Sequence, residues 1–153
     1  MSIIKSLLDK LYPPAEKKRI LLLGNDNCGK TSILYRIILD ELITTMPTIG
    51  FNVETHTRGG IELSIWDIGG CDKIRPLWKH YFCNTGLVVF VISSSDESRL
   101  HYDGCDYELL YADTSLKSIL EEPSLDNTPI LILINKIDLE GVPNPEEVTQ
   151  RVG

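Results

Sequence analysis

The chain has 153 residues, 42% of them apolar and 24% charged, with a formal net charge of −7. That length fits a single domain with its own core, and no apolar run approaches the ~20 residues that a membrane-spanning helix needs. The acidic balance argues against nucleic acid as a partner, because such binding rests on clustered Lys and Arg that neutralise phosphates.

The first predicted element is a helix over residues 2–11, with Ile3, Ile4, Leu7, Leu8 and Leu11 on one face and Pro13-Pro14 ending it. Residues 1–20 are locally basic, with Lys5, Lys10, Lys17, Lys18 and Arg19 against Asp9 and Glu16. An amphipathic helix of this kind either packs on the domain or makes weak, reversible contact with a membrane surface through residues 2–11. The main domain is expected over 15–153.

An apolar strand, Ile20-Leu21-Leu22-Leu23, runs into Gly24-Asn25-Asp26-Asn27-Cys28-Gly29-Lys30-Thr31, which has the form G-x-x-x-x-G-K-[ST]. A helix follows, with Ile33, Leu34, Ile37 and Ile38 on one face. Strand, glycine-rich loop and helix in that order make a phosphate cradle. Backbone N–H groups point inward and the helix adds its positive end. Lys30 is expected to bridge the β- and γ-phosphates, and the Thr31 hydroxyl to ligate Mg²⁺.

Further along, Thr48 in Met46-Pro47-Thr48-Ile49-Gly50 offers a second hydroxyl to the metal once a triphosphate is bound. A hairpin comes next. Phe51, Val53 and Thr55 alternate with polar residues, Arg58-Gly59-Gly60 turns the chain, and Ile61, Leu63 and Ile65 alternate again. The strand ends in Trp66-Asp67-Ile68-Gly69-Gly70, where Asp67 can hold a Mg²⁺-bound water and Gly70 can bring a backbone N–H to the γ-phosphate.

Leu87–Ile92 and Ile130–Ile134 are continuous apolar runs, like Ile20–Leu23, and read as parallel strands covered on both faces. The segment from Asp96 to Glu122 is polar, with Tyr102, Tyr107 and Tyr111 near Gly104 and Cys105, and reads as surface structure. After the last strand stands Asn135-Lys136-Ile137-Asp138, of the form N-K-x-D. The Asp138 carboxylate can accept from guanine N1–H and N2–H₂, which adenine lacks. Asn135 reaches the base or ties two loops together, and the Lys136 stem covers the ring. A last helix begins at 144–150.

The four cysteines, at 28, 71, 83 and 105, lack metal-ligand spacing, and no signal peptide is apparent, so reduced thiols are expected. His56, His80 and His101 are dispersed and suggest neither a metal site nor a catalytic base. The expected fold is an α/β three-layer P-loop NTPase: a mostly parallel sheet, one antiparallel hairpin strand, helices on both faces and an N-terminal amphipathic helix.

Pro47 to Thr55, Trp66 to Gly70 and Asp72 to Phe82 together resemble the Arf (ADP-ribosylation factor) family of small GTPases, over essentially the whole chain. The resemblance implies a guanine-nucleotide switch that binds and hydrolyses GTP, in vesicle and membrane trafficking. It assigns the nucleotide to Gly24, Asp26, Asn27, Cys28, Gly29, Lys30, Thr31, Thr48, Gly70, Asn135, Lys136 and Asp138, and Mg²⁺ to Thr31, Thr48 and, through water, Asp67. It also implies that an exchange factor, an activating protein and effectors engage an apolar surface of Ile49, Phe51, Trp66 and Tyr81. A monomer is expected, cytoplasmic or peripheral on Golgi or other endomembranes.

Three departures stand out. Ser2 occupies the position of the family's myristoylated glycine, so that lipid is not expected. The family's last strand, a guanine-contacting loop and a final helix have no counterpart before Gly153. Cys71 stands where the family has a glutamine that orients the attacking water, so hydrolysis through Cys71, Lys30 and Gly70 is expected to be slow. The rival reading is an effector-binding module without catalysis or without nucleotide.

Overall fold

A computed structural model of the chain describes residues 16–94, 115–140 and 144–152. The expected N-terminal helix, and the part of the Asp96–Glu122 segment before residue 115, lie outside the described residues.

The strands are β1 (Glu16–Leu23), β2 (Phe51–Arg58), β3 (Ile61–Ile68), β4 (Leu87–Ser93) and β5 (Ile130–Asn135). They form one sheet in the order β2-β3-β1-β4-β5. β1 pairs in parallel with β3 and with β4, β4 pairs in parallel with β5, and among the described residues only β2 and β3 run antiparallel. The helices are α1 (Lys30–Leu39), α2 (115–120) and α3 (Pro145–Val152), with a 3₁₀ helix over Arg75–Tyr81. This is the expected α/β architecture, a parallel sheet between helical layers.

Side chains alternate across each strand, so each apolar run feeds two cores. On one face Leu21, Leu23, Ile68, Val88, Phe90 and Ile92 pack with Trp78 of the 3₁₀ helix and with Leu116 and Ile119 of α2. On the other, Leu22, Ile65, Val89 and Val91 pack with Leu34 of α1. The same alternation separates two neighbours on β3. Trp66 packs against the first face, while the buried Asp67 lies opposite Leu22, on the second.

Two expectations need correction. β1 starts at Glu16 rather than Ile20, since Glu16 to Arg19 pair with Ile61 to Ser64. Those residues are too polar to read as a buried strand, and three of them are exposed. β5 is not covered on both faces: Leu131 is 47% and Ile132 44% exposed. Among the described residues it pairs only with β4, so it is an edge strand.

Candidate functional site

The loop between β1 and α1 is shaped by its close approaches. Gly29 caps α1 at φ 98°, and a Cβ there would sit 2.2 Å from Asn135 Nδ2. No side chain caps the helix, so its first N–H groups are left open to an anion. Lys30 is 5% exposed and folds back over the loop, its Nζ donating to the Gly24 carbonyl at 2.9 Å and the Asn25 carbonyl at 2.7 Å. Gly70 lies against the same strip of backbone, and a Cβ there would be 2.3 Å from the Gly24 carbonyl oxygen. Any side chain at 70 would push the Trp66–Gly70 segment off the loop.

Thr31, Thr48 and Asp67 come from a helix, a loop and a strand end, and they converge. Thr31 Oγ1 donates to Asp67 Oδ2 at 2.5 Å, Thr48 Oγ1 donates to the same oxygen at 3.3 Å, and the two hydroxyls are 3.0 Å apart. Burial pushes the Asp67 carboxyl above its ordinary range, against those two hydrogen bonds and the nearby Lys30 charge. Its Oδ1 is buried with no hydrogen-bond partner among the described residues. An orphaned carboxylate oxygen beside two hydroxyls is a hard, all-oxygen donor set, and it fits Mg²⁺ directly or through water.

A cleft of about 300 Å³ opens beside this cluster, lined by Asp26, Asn27, Gly29, Lys30, Thr31, Ser32, residues 45–48, Gly70, Asn135 and Lys136. Asn135 ties two loops together: its Nδ2 donates to the Cys28 carbonyl at 2.9 Å. Asp138 is exposed and does not line the cleft, nor does Cys71. The Cys71 carbonyl instead accepts from Ile74 and Arg75 N–H, starting the 3₁₀ helix.

The proposed effector residues also meet. Phe51 stacks on Trp66 with centroids 5.4 Å apart, and Tyr81 closes the group at 5.6 Å from Phe51 and 6.2 Å from Trp66. Ile49, two residues before Phe51 in sequence, is 95% exposed.

The contacts of three residues escaped sequence reasoning. The Arg19 guanidinium lies 4.0 Å over the Trp66 ring while its Nη1 donates to the Cys83 carbonyl. Arg75 pairs with Asp72 and donates from Nη1 to Asn25 Oδ1 at 3.4 Å, linking the 3₁₀ helix to the phosphate loop. Ser94 Oγ donates to the Asn135 carbonyl. Only Arg75 carries a sequence signal, the three-residue spacing Arg75, Trp78, Tyr81 of a 3₁₀ face.

A model of the ADP-ribosylation factor family matches residues 4–153. The chain belongs to that family. Among solved structures this Arf-family chain is similar to the Arl6 (BBS3) small GTPase of Trypanosoma brucei with the bound nucleotide analogue GppNp. The two are 28% identical with a TM-score of 0.75, over 89% of this chain and 77% of that one. Arf-family membership makes the protein a guanine-nucleotide-binding switch of the small GTPase class, whose members hydrolyse GTP and engage regulators and effectors.

Proposed function

We propose that this Arf-family protein is a Mg²⁺-dependent GTP/GDP switch with slow intrinsic hydrolysis, acting in membrane traffic. The reading rests on one observation, the convergence of Thr31, Thr48 and Asp67 beside Lys30. Thr31, Thr48 and, through water, Asp67 would hold the metal, which would supply positive charge against the phosphates. The loop from Gly24 to Thr31 cradles the phosphates, and Lys30 leaves its two carbonyls to reach them. Gly70 presents its N–H to the γ-phosphate. Asp138 reads guanine, with Lys136 over the ring and Asn135 bracing the phosphate loop.

Turnover is slow because position 71 lacks a carboxamide. A thiol is a weak donor and a weak acceptor, so Cys71 cannot both accept from water and donate to a phosphate oxygen. Loss of one preorganised donor of this type costs ~10²–10³ in rate. Membrane traffic, a peripheral place on Golgi or other endomembranes, and effector binding through Ile49, Phe51, Trp66 and Tyr81 follow from the family alone. A second reading, a partner-binding module without useful turnover, is favoured by the placement of Cys71 away from the cleft lining.

The deciding experiment is titration of purified protein with fluorescent GDP, GTP and ATP analogues, with Mg²⁺ and with EDTA. Weak, Mg²⁺-dependent GTP binding with at least a hundredfold preference over ATP is expected, roughly what an unpaired Asp138 would impose on the wrong base. Equal affinity for ATP would overturn guanine specificity. No binding of any nucleotide would leave the nucleotide-free module as the reading.

A further inference from the structure

The motif G-x-x-x-x-G-K-[ST] places no demand on residue 25, yet Asn25 meets three separate neighbours. Lys30 Nζ donates to its carbonyl at 2.7 Å, and Arg75 Nη1 donates to its Oδ1 at 3.4 Å. Gly70 lies so close against its peptide that a Cβ there would come within 2.4 Å of the Asn25 carbonyl carbon. The phosphate loop and the end of β3 touch through this residue.

The other side of the contact is a closed turn. The Cys71 carbonyl accepts from Ile74 N–H at 2.9 Å and from Arg75 N–H at 3.1 Å, and the chain so folded brings both Gly70 and the Arg75 guanidinium to Asn25. Asp72 pairs with the same guanidinium through Nη2, since a planar fork can serve two acceptors at once. Gly70 is thus fastened to the loop twice, by its own packing and by Arg75.

The direction of the Gly70 N–H is set by the peptide unit that carries it. The carbonyl of that unit belongs to Gly69 and accepts from the Trp78 indole N–H at 2.9 Å. In a planar trans peptide the C=O and N–H point opposite ways, so the Gly70 N–H is turned away from Trp78. Gly70 itself lines the cleft. Trp78 governs where this donor points, and Asn25 governs how near it stands to the loop. On the switch reading Lys30 leaves the Asn25 carbonyl for the phosphates, and the Arg75 contact then remains to hold the side chain.

We infer that Asn25, acting through Arg75, is a positioning residue for the γ-phosphate: it seats the Gly70 N–H where a nucleoside triphosphate, and not a diphosphate, can use it. The inference rests on the switch reading above and adds to it a residue outside the fixed positions of the motif. A donor held in place before the ligand arrives needs no ordering when it binds. Loosening that donor therefore falls on the ligand that touches it, the triphosphate.

The test compares the affinities of the full chain for GDP and for a non-hydrolysable GTP analogue, both fluorescent and both with Mg²⁺. Asn25→Leu keeps the size of the side chain and removes the acceptor without changing charge. Its affinity for the analogue is expected to fall about tenfold more than its affinity for GDP, the scale of one hydrogen bond to a charged group. In an Arg75→Ala background the same substitution should leave that ratio nearly where it was, because the partner is already gone. A residue that merely shaped the loop would weaken both nucleotides alike, with or without Arg75. Equal losses for the two nucleotides, or a tenfold effect that persists in the Arg75→Ala background, would overturn the inference. So would loss of both nucleotides in Asn25→Leu and again in the smaller Asn25→Ala, which would assign the residue to the fold of the loop. A wild-type chain that binds neither nucleotide would strike the switch reading itself, a different result from a wild type that binds both and variants whose ratio does not move.

Discussion

Asp67 carries the clearest electrostatic consequence of the site. Its folded carboxyl titrates above the ordinary 3.8 because burial disfavours the charged form. A group whose pKa rises on folding stabilises the fold fully below its unfolded pKa and loses that contribution as pH rises through the folded value. Without metal, the ionised Asp67 therefore costs stability at neutral pH. Asp67→Asn should melt at or above the wild type in EDTA at pH 7, with the gap closing as pH falls toward about 4. In saturating Mg²⁺ and GDP the order should reverse, because only the wild type gains binding energy from the metal. Thermal melts across pH in both buffers check this; the same order in both would remove Asp67 from the metal site.

Cys71 makes the second prediction at this scale. If the missing carboxamide limits turnover, Cys71→Gln should speed single-turnover hydrolysis of bound GTP by roughly tenfold or more, with an activating protein supplied where one is needed. An unchanged rate in a GTP-loaded variant would favour the module without turnover.

Among the elements, the 3₁₀ helix over Arg75–Tyr81 gives a third prediction. It is held to the phosphate loop by Arg75 through Asn25, and to the sheet by Trp78, whose indole N–H donates to the Gly69 carbonyl at 2.9 Å. Arg75→Ala should leave Trp78 seated but free the leading turn, so tryptic cleavage after Lys73 should accelerate by roughly several-fold. Limited proteolysis of the nucleotide-bound forms measures it. Unchanged cleavage would mean that Trp78 and the Gly70 packing hold the segment without Arg75.

This scale also separates what the sequence made legible from what it hid. The phosphate loop, the hairpin and the Asn135 segment were readable because each couples a fixed local geometry to fixed residue types. Arg19 was not, because nothing in Glu16-Lys17-Lys18-Arg19 signals a strand or a ring lying beneath the guanidinium. Asn135 remained open between base and loop until a contact 107 residues away in sequence decided for the Cys28 carbonyl. An apolar run likewise reports that a strand is fit for burial, not that neighbours exist to bury it, and β5 is the case in point.

For the molecule as a whole, β5 is the exposed liability. It carries no charge or proline along Ile130–Asn135, and its middle is open on both faces, which are the conditions for edge-to-edge association. Ile132→Lys should slow concentration-dependent light scattering of the 153-residue chain by roughly several-fold. GTP affinity should not move, since Ile132 does not line the cleft. Scattering that is indifferent to the substitution would point to another surface.

The alternation along β3 has a last consequence for the speed and fidelity of signalling. Trp66 lies on the face of β3 that meets Phe51 and Tyr81 and Asp67 on the face that meets Thr31, so the proposed display and the proposed sensor are consecutive residues of one strand. On that proposal, news of the bound nucleotide would travel one peptide unit, about 3.8 Å, through the stiffest link in a polypeptide. No relay of side chains lies between them to leak or dampen the message. A slip of one residue would exchange the two roles and silence both, whereas a slip of two would carry both along the sheet together, by roughly 7 Å, with their faces preserved. Under the switch proposed above, a register shift of this strand would be close to all-or-none, because no one-residue step keeps both side chains on their faces.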